Sequence, residues 1–306
     1  MQNYNEEQKG ILVKLEELIA KVGSQNKVAG MLGMNGAILS SLRSGSYAGD
    51  VNKQFDKLNS YFGIKEEAEL NYVEIDYVAT SVSTKVYEVI RNCQIKGGLA
   101  IACGDAGIGK TKAAKKFAAD NVNNSIYISI NPCITTLKAL LKVLCSKVNV
   151  SEKTIDEMWL GLTNKLSDGM VIIFDEAQHF PIKTVEALRS LTDYFYEQGQ
   201  TLGICFVGNT ETANNFGGKK KAEFAQISNR TKIRKKYYTT DITRNDIQLL
   251  FPIISDKQME IDFLLKISQS SQGIRGATNL FSNAYDNEDI TYEGLVGMAK
   301  HMEMKL

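Results

Sequence analysis

The sequence predicts an α/β fold with a parallel sheet and a C-terminal helical lid, preceded by a small all-α domain. Three observations predict it. Residues 1–62 carry helical periodicity without alternating strand patterns. Beyond them, short apolar runs rich in β-branched residues alternate with helical stretches, the pattern of a parallel sheet covered by helices on both faces. After about Thr243 only helical patterns remain.

The elements follow in order. From Glu6 to Val22 the apolar residues Ile11, Leu12, Leu15, Leu18, Ile19 and Val22 fall at helical spacing, and Gly23 closes the segment. Ser24 can cap a second, short helix with Val28, Ala29 and Leu32. Gly33-Met34-Asn35 breaks it, and a third helix runs from about Gly36 to Arg43. A fourth begins near Asp50 and is expected to end before Gly63. The acidic, aperiodic stretch from Gly63 to about Val78 reads as a connector, with the domain boundary near Ala68. Strands are expected at Leu99 to Cys103, Ser125 to Ile130, Val171 to Phe174, Leu202 to Val207 and, more polar, Lys232 to Thr239. Helical patterns close the chain at Asp246 to Phe251, Lys257 to Ser268, Ile274 to Tyr285 and Tyr292 to Met304. The expected division is therefore 1–67, 68–242 and 243–306.

Composition bounds the function. The 306-residue chain is 43% hydrophobic and 23% charged with a formal net charge of +1, so any basic surface must be local. Cys93, Cys103, Cys133, Cys145 and Cys205 form no CxxC pair and read as reduced residues of a cytoplasmic protein. The opening MQNYNEEQKG lacks a basic segment followed by an apolar core, and no apolar run approaches the roughly 18 residues that span a bilayer. Secretion and membrane partners are not expected.

Chemistry enters with Gly104-Asp105-Ala106-Gly107-Ile108-Gly109-Lys110-Thr111, which matches GxxxxGKT between an apolar strand and a helical stretch. Glycines there let successive backbone N–H groups wrap phosphates, and the helix N-terminus adds a favourable dipole. Lys110 reaches the β- and γ-phosphates and the Thr111 hydroxyl binds Mg²⁺, which makes ATP the expected ligand; Lys112 is counted with the same pocket. Val171-Ile172-Ile173-Phe174-Asp175-Glu176 gives a buried strand ending in two carboxylates at the ligand-binding edge of such a sheet. Asp175 would hold the Mg²⁺ shell and Glu176 would polarise the attacking water. The strand ending in Gly208-Asn209 places a polar amide near the γ-phosphate, so Asn209 is assigned a sensing role; an Asn that merely shapes the turn is the alternative.

With these motifs in this order, the chain from about Ser81 to Leu306 resembles an AAA+ ATPase: a P-loop AAA+ domain with a parallel sheet and a helical lid. The resemblance implies two arginine roles. Arg230, in Ile227-Ser228-Asn229-Arg230, matches the arginine-finger position that enters a neighbouring subunit's pocket, and Arg275, in Gly273-Ile274-Arg275-Gly276, matches the lid-borne sensor. A finger implies a homo-oligomer, as a ring or a helical filament. Length and domain order narrow the resemblance to the target-DNA-binding ATPases of phage Mu-type transposition. That family implies DNA and a transposase as partners.

In the N-terminal domain, Gln25 to Asp50 reads as a helix-turn-helix, with Ser40, Ser41 and Arg43 facing DNA. Residues 1–62 carry seven basic and six acidic side chains, so a helical bundle for protein contact stays open. Between Asn215 and Thr240 the charge is far more one-sided: Lys219, Lys220, Lys221, Arg230, Lys232, Arg234, Lys235 and Lys236 face one acid, Glu223. Lys219, Lys220, Lys221, Lys235 and Lys236 are candidates for phosphate contacts that read no sequence. Trp159 reads as core, and His179 as structural or pocket-adjacent. A replication-initiation or helicase-loading ATPase, or an ATP-driven switch without DNA, remains an alternative reading of the same pocket.

Overall fold

The computed structural model describes residues 4–70, 77–134, 136–180, 182–215 and 231–304. The chain divides into two compact units, Met1–Val73 and Glu74–Leu306.

The first unit is helical. Helix α1 (Glu6–Val22) starts at a capping box between Asn5 and Gln8 and ends at Gly23 in the left-handed region, φ 73°. Ser24 caps α2 (Gln25–Met31), and Asn35 caps α3 (Gly36–Arg43) by accepting from the Ala37 N–H at 2.9 Å. Helix α4 (Val51–Leu70) completes a core in which Leu15, Val28, Leu39, Leu42 and Leu58 are wholly buried. The expected stop before Gly63 does not occur. A single glycine costs a helix about 1 kcal/mol, too little to end one that continues into Lys65-Glu66-Glu67-Ala68-Glu69-Leu70.

The second unit is built on five parallel strands in the order β2-β3-β4-β1-β5. They are β1 (Gly98–Gly104), β2 (Ser125–Ser129), β3 (Met170–Asp175), β4 (Leu202–Gly208) and β5 (Thr231–Tyr237). Every residue of β3 and β4 is buried, which is why both read as unbroken apolar runs. On β5, the edge strand, Lys232, Arg234, Lys235 and Lys236 are exposed. Helices α5 (Ser81–Lys96), α6 (Lys110–Asp120), α7 (Leu137–Lys147), α8 (Ile155–Lys165), α9 (Ile182–Glu197) and α10 (Thr210–Asn215) accompany the sheet. Phe174, Phe180 and Phe206 pack with ring centroids 5.1–5.9 Å apart beneath the carboxyl edge. Trp159 belongs to this packing, edge-on to Tyr194 at 5.2 Å, with its indole N–H donating to Ser190 Oγ at 3.3 Å. The five cysteines are free thiols, all buried except Cys133. Among the described residues no helix is long and apolar enough to cross a membrane.

After the sheet come α11 (Arg244–Leu250), α12 (Gln258–Gln269), α13 (Gly273–Asp286) and α14 (Tyr292–His301). Their anchor is Asp246, 1% exposed. One carboxylate oxygen accepts from the Ser81 N–H at 2.6 Å and the Ser81 hydroxyl at 3.0 Å; the other accepts from the Thr243 N–H at 2.8 Å. The first lid helix is thereby locked onto the N-terminus of α5, where a carboxylate is also favoured by the helix dipole. Asp246→Ala leaves those donors unpaired in a buried place and is expected to cost the second unit about 2–4 kcal/mol. Denaturant unfolding followed by the fluorescence of Trp159 checks this, because the single tryptophan lies in that unit.

Candidate active site

The glycine-rich segment leaves β1 at Gly104 and runs into α6, whose first residues are Lys110 and Thr111. Lys110 is only 8% exposed. Its Nζ donates to the Gly104 carbonyl at 3.0 Å and to the Asp105 carbonyl. Burial lowers its pKa, and the carboxylates of Asp175, Glu176 and Asp105 act in the opposite direction. Asp105 faces β5 through two bonds. Its N–H donates to the Tyr237 carbonyl at 3.1 Å, and its carboxylate accepts the Thr239 N–H at 2.9 Å.

Across the cleft, Asp175 ends β3 at 2% exposure. Oδ2 accepts the Tyr127 hydroxyl at 2.8 Å and Oδ1 accepts the Glu176 N–H at 3.0 Å. The Tyr127 phenol is held protonated far up the scale, first by burial and then by Asp175. Glu176 sits in the left-handed region, φ 56°, a conformation that non-glycine residues adopt at a cost of order 1–3 kcal/mol and that clusters at functional sites. The oxygen donors of Thr111 and Asp175 suit a hard cation such as Mg²⁺. Among the described residues there is no group of three or more His, Cys, Asp or Glu that could hold a metal ion.

At the end of β4, Asn209 Oδ1 accepts the Glu211 N–H at 2.9 Å, so that its side chain starts α10. Its own N–H donates to Gln178 Oε1 at 3.2 Å, while Gln178 Nε2 donates to Glu176 Oε2 at 2.6 Å. His179 is exposed at the end of the same short turn, Ala177–His179.

The lid closes the cleft from above. The Arg275 N–H donates to the Gly107 carbonyl at 3.3 Å. Both contact surfaces need glycine: Gly107 and Gly273 have φ 74° and 65°, and a Cβ on Gly273 would lie 2.7 Å from the Ala106 carbonyl oxygen. Val78, Leu250 and Ile274 supply apolar walls, Thr80, Ser83, Thr278 and Asn279 polar ones, and Gly107, Ile108, Gly109, Lys110, Thr111, Lys112 and Arg275 complete the lining. Val78, Thr80, Ser83, Leu250, Thr278 and Asn279 carry no motif that would mark them in the sequence as pocket residues.

The candidate DNA residues fall in three places. Lys219, Lys220, Lys221 and Arg230 lie outside the described residues. Lys235 and Lys236 are on β5, where alternation puts them on opposite faces: Lys232, Arg234 and Lys236 share one face, and Lys235 shares the other with Ile233. In the first unit Ser40 is exposed, whereas the Ser41 hydroxyl donates back to the Ala37 carbonyl at 2.8 Å. Arg43 is engaged inside the unit. Its Nε and Nη2 donate to the two oxygens of Glu16, at 2.5 and 2.7 Å, and Nη1 donates to Gln25. While that fork is closed the guanidinium ties α3 to α1 and does not project toward a phosphate.

Comparison with known proteins agrees with this geometry. Residues 94–216 match a family model described as an AAA domain. The chain is 26% identical over 255 residues to the "ATP-dependent target DNA activator B" of Escherichia phage Mu, covering 79% of this chain and 77% of that protein. It is also 26% identical over 215 residues to the "Mu-like prophage FluMu DNA transposition protein B" of Haemophilus influenzae, covering 68% and 72%. Among solved structures, the Aeropyrum pernix ORC2 protein superposes with a TM-score of 0.55 at 11% identity over 75% of this chain and 70% of its own, which shows a shared fold. By fold, by the domain match over residues 94–216 and by the construction of its pocket, the second unit carries an AAA ATPase domain, and the chain resembles the target-DNA activators of Mu-like phages.

Proposed function

We propose that the chain binds DNA with little regard to sequence when loaded with ATP, assembles on it as a homo-oligomer, and thereby directs or activates a transposase. The observation that carries the reading is the lidded pocket around Lys110, in a chain that aligns over 79% of its length with an ATP-dependent target DNA activator.

In this reading the phosphates of ATP meet the backbone N–H groups of Gly104 to Thr111 and the Lys110 ammonium. Thr111 and Asp175 would hold a Mg²⁺ ion, which would supply charge neutralisation during phosphoryl transfer. Glu176 orients the attacking water, Asn209 reads the γ-phosphate, and Arg275 reaches it from the lid. Arg230 enters the next subunit's pocket. Such head-to-tail contacts close a ring or grow a helical filament. ATP favours assembly only through contacts of the γ-phosphate that ADP lacks. Lys232, Arg234 and Lys236 line one exposed face of β5 with Cα atoms about 6.6 Å apart, twice the strand rise; the Lys232 ammonium donates to the Lys96 carbonyl at 2.6 Å and Lys236 lies over the Tyr238 ring, contacts that a DNA phosphate would have to share or displace. That strand joins the P-loop directly through Tyr237, Thr239 and Asp105. The first unit is read as a helix-turn-helix, with Ser40 on the exposed side of α3.

Three outcomes are expected. Burial lowers the Lys110 pKa in spite of the facing carboxylates, so the ammonium is a net cost to the empty pocket, and Lys110→Met is expected to abolish ATP binding while leaving the nucleotide-free protein as stable or more so. Thermal melting with and without nucleotide checks both halves. Random-sequence duplex DNA is expected to be bound tightly with ATP, weakly with ADP and weakly without nucleotide. The bound particles should grow in size, binding should be lost in Lys110→Ala, and it should persist longer in Glu176→Gln. DNA binding in no nucleotide state overturns the proposal and leaves an ATP switch that docks proteins through its N-terminal unit. Finally, replacing Lys232, Arg234 and Lys236 together by alanine is expected to weaken DNA binding and to flatten the log–log salt slope by about 2–3. ATP affinity should be unchanged, as read by nucleotide titration.

A further inference from the structure

The best-connected side chain at the carboxyl edge of the sheet is one that no motif names. Gln178 is half-buried in the middle of the turn Ala177–His179. Its Nε2 donates to Glu176 Oε2 at 2.6 Å, and its Oε1 accepts the Asn209 N–H at 3.2 Å. One carboxamide thus spans the carboxylate after β3 and the backbone that follows β4. It is also seated against the last residue of β4: a Cβ on Gly208 would lie 2.7 Å from Gln178 Oε1 and would collide with Thr212 Oγ1. Any side chain at position 208 displaces the amide.

The chemistry selects this residue type. The Glu176 carboxylate accepts only, and the Asn209 N–H donates only, so the bridge must donate at one end and accept at the other. An ionised glutamate cannot donate, lysine and arginine cannot accept, and asparagine is one methylene shorter. A carboxylate that orients water must present one lone pair in a fixed direction. Left alone, the Glu176 side chain turns about its terminal bonds; held through Oε2, it keeps Oε1 for the water.

We propose that Gln178 is a positioning residue for ATP hydrolysis, holding the Glu176 carboxylate in register with the tip of β4. The proposal rests on Glu176 being the water-activating group. Through this amide a displacement of Asn209 on meeting the γ-phosphate is passed to Glu176, so that the sensing and the activating residue move as one.

The test is steady-state ATP hydrolysis by the full chain, together with ATP affinity measured by nucleotide titration. Gln178→Met keeps the length and removes both hydrogen bonds; it is expected to lower kcat 10- to 100-fold while KM and ATP affinity stay within about twofold. Gln178→Asn keeps the amide and is expected to fall between the two. Gln178→Glu sets a second carboxylate beside the first and is expected to be at least as impaired as Gln178→Met. If Gln178→Met does not fold, the Asn and Glu variants decide by the same split between kcat and affinity. An unchanged kcat overturns the proposal, as does a kcat loss matched by an equal loss of ATP affinity, which a merely structural residue would give. Glu176→Gln separates the two ways of failing. Full hydrolysis in that variant overturns the assignment of Glu176 itself, whereas its inactivity beside an unimpaired Gln178→Met overturns the tie alone.

Discussion

The arrangement of the second unit depends on one buried positive charge. The Lys110 ammonium lies under the P-loop with the Gly104 and Asp105 carbonyls as its hydrogen-bond partners, and burial pulls its pKa down. A cation held so is incompletely compensated, and the polyphosphate of a nucleotide is the anion that fits it. The rest of the carboxyl edge answers to that charge. Asp175 and Glu176 face it from β3 and share the task of compensation while no phosphate is present. Tyr127 donates to one oxygen of Asp175 and the Glu176 N–H to the other, and together they hold the orientation of that carboxylate.

Sheet order converts separate motifs into one site. Because β1 lies between β4 and β5, and β4 separates it from β3, the residues after Gly104, Asp175 and Gly208 emerge side by side. The lid then meets the P-loop at Gly107 and Gly273, where a Cβ would lie 3.1 Å from the Gln272 carbonyl oxygen and 2.7 Å from the Ala106 carbonyl oxygen. Asp246 holds the other end of the lid to α5, beside Thr80 and Ser83 of the pocket wall. A lid pinned at one point and touching the loop at another can report nucleotide by a small rotation between the two.

Signals that are local in sequence were legible in it. The β-branched runs found all five strands, and the glycine spacing found the P-loop, because each is enforced within a few residues. The end of α4 was misread because Gly63 was given more weight than the good helix formers that follow it. Long-range pairings left no trace: Arg43 meets Glu16 across 27 residues, and Ser81 meets Asp246 across 165. The apolar walls Val78 and Leu250 look in sequence like any other core residues, since only the fold shows which apolar side chain faces a cleft. Gln178 is silent in sequence for a different reason: a glutamine two residues after a carboxylate is an ordinary turn residue until the fold shows that its amide spans two strand ends.

The basic strand and the P-loop share backbone hydrogen bonds, which bears on how DNA and nucleotide would sense each other. Tyr237 ends β5, pairs with Gly104 and accepts the Asp105 N–H; two residues on, the Thr239 N–H returns to the Asp105 carboxylate. The segment from Lys232 to Thr239 therefore has cations on its exposed face and the root of the phosphate loop at its end. A rigid strand cannot be displaced at one end without strain at the other, because its ladder to β1 permits little stretch. If phosphates of DNA settle on Lys232, Arg234 and Lys236, the free energy that favours one position of the strand also favours one position of the loop. Linkage requires the converse with the same magnitude: a γ-phosphate that tightens the loop must tighten DNA binding equally. On the proposed function, assembly controlled by ATP would need no separate relay, since the strand proposed to contact the polymer and the loop proposed to contact the nucleotide are joined at Asp105.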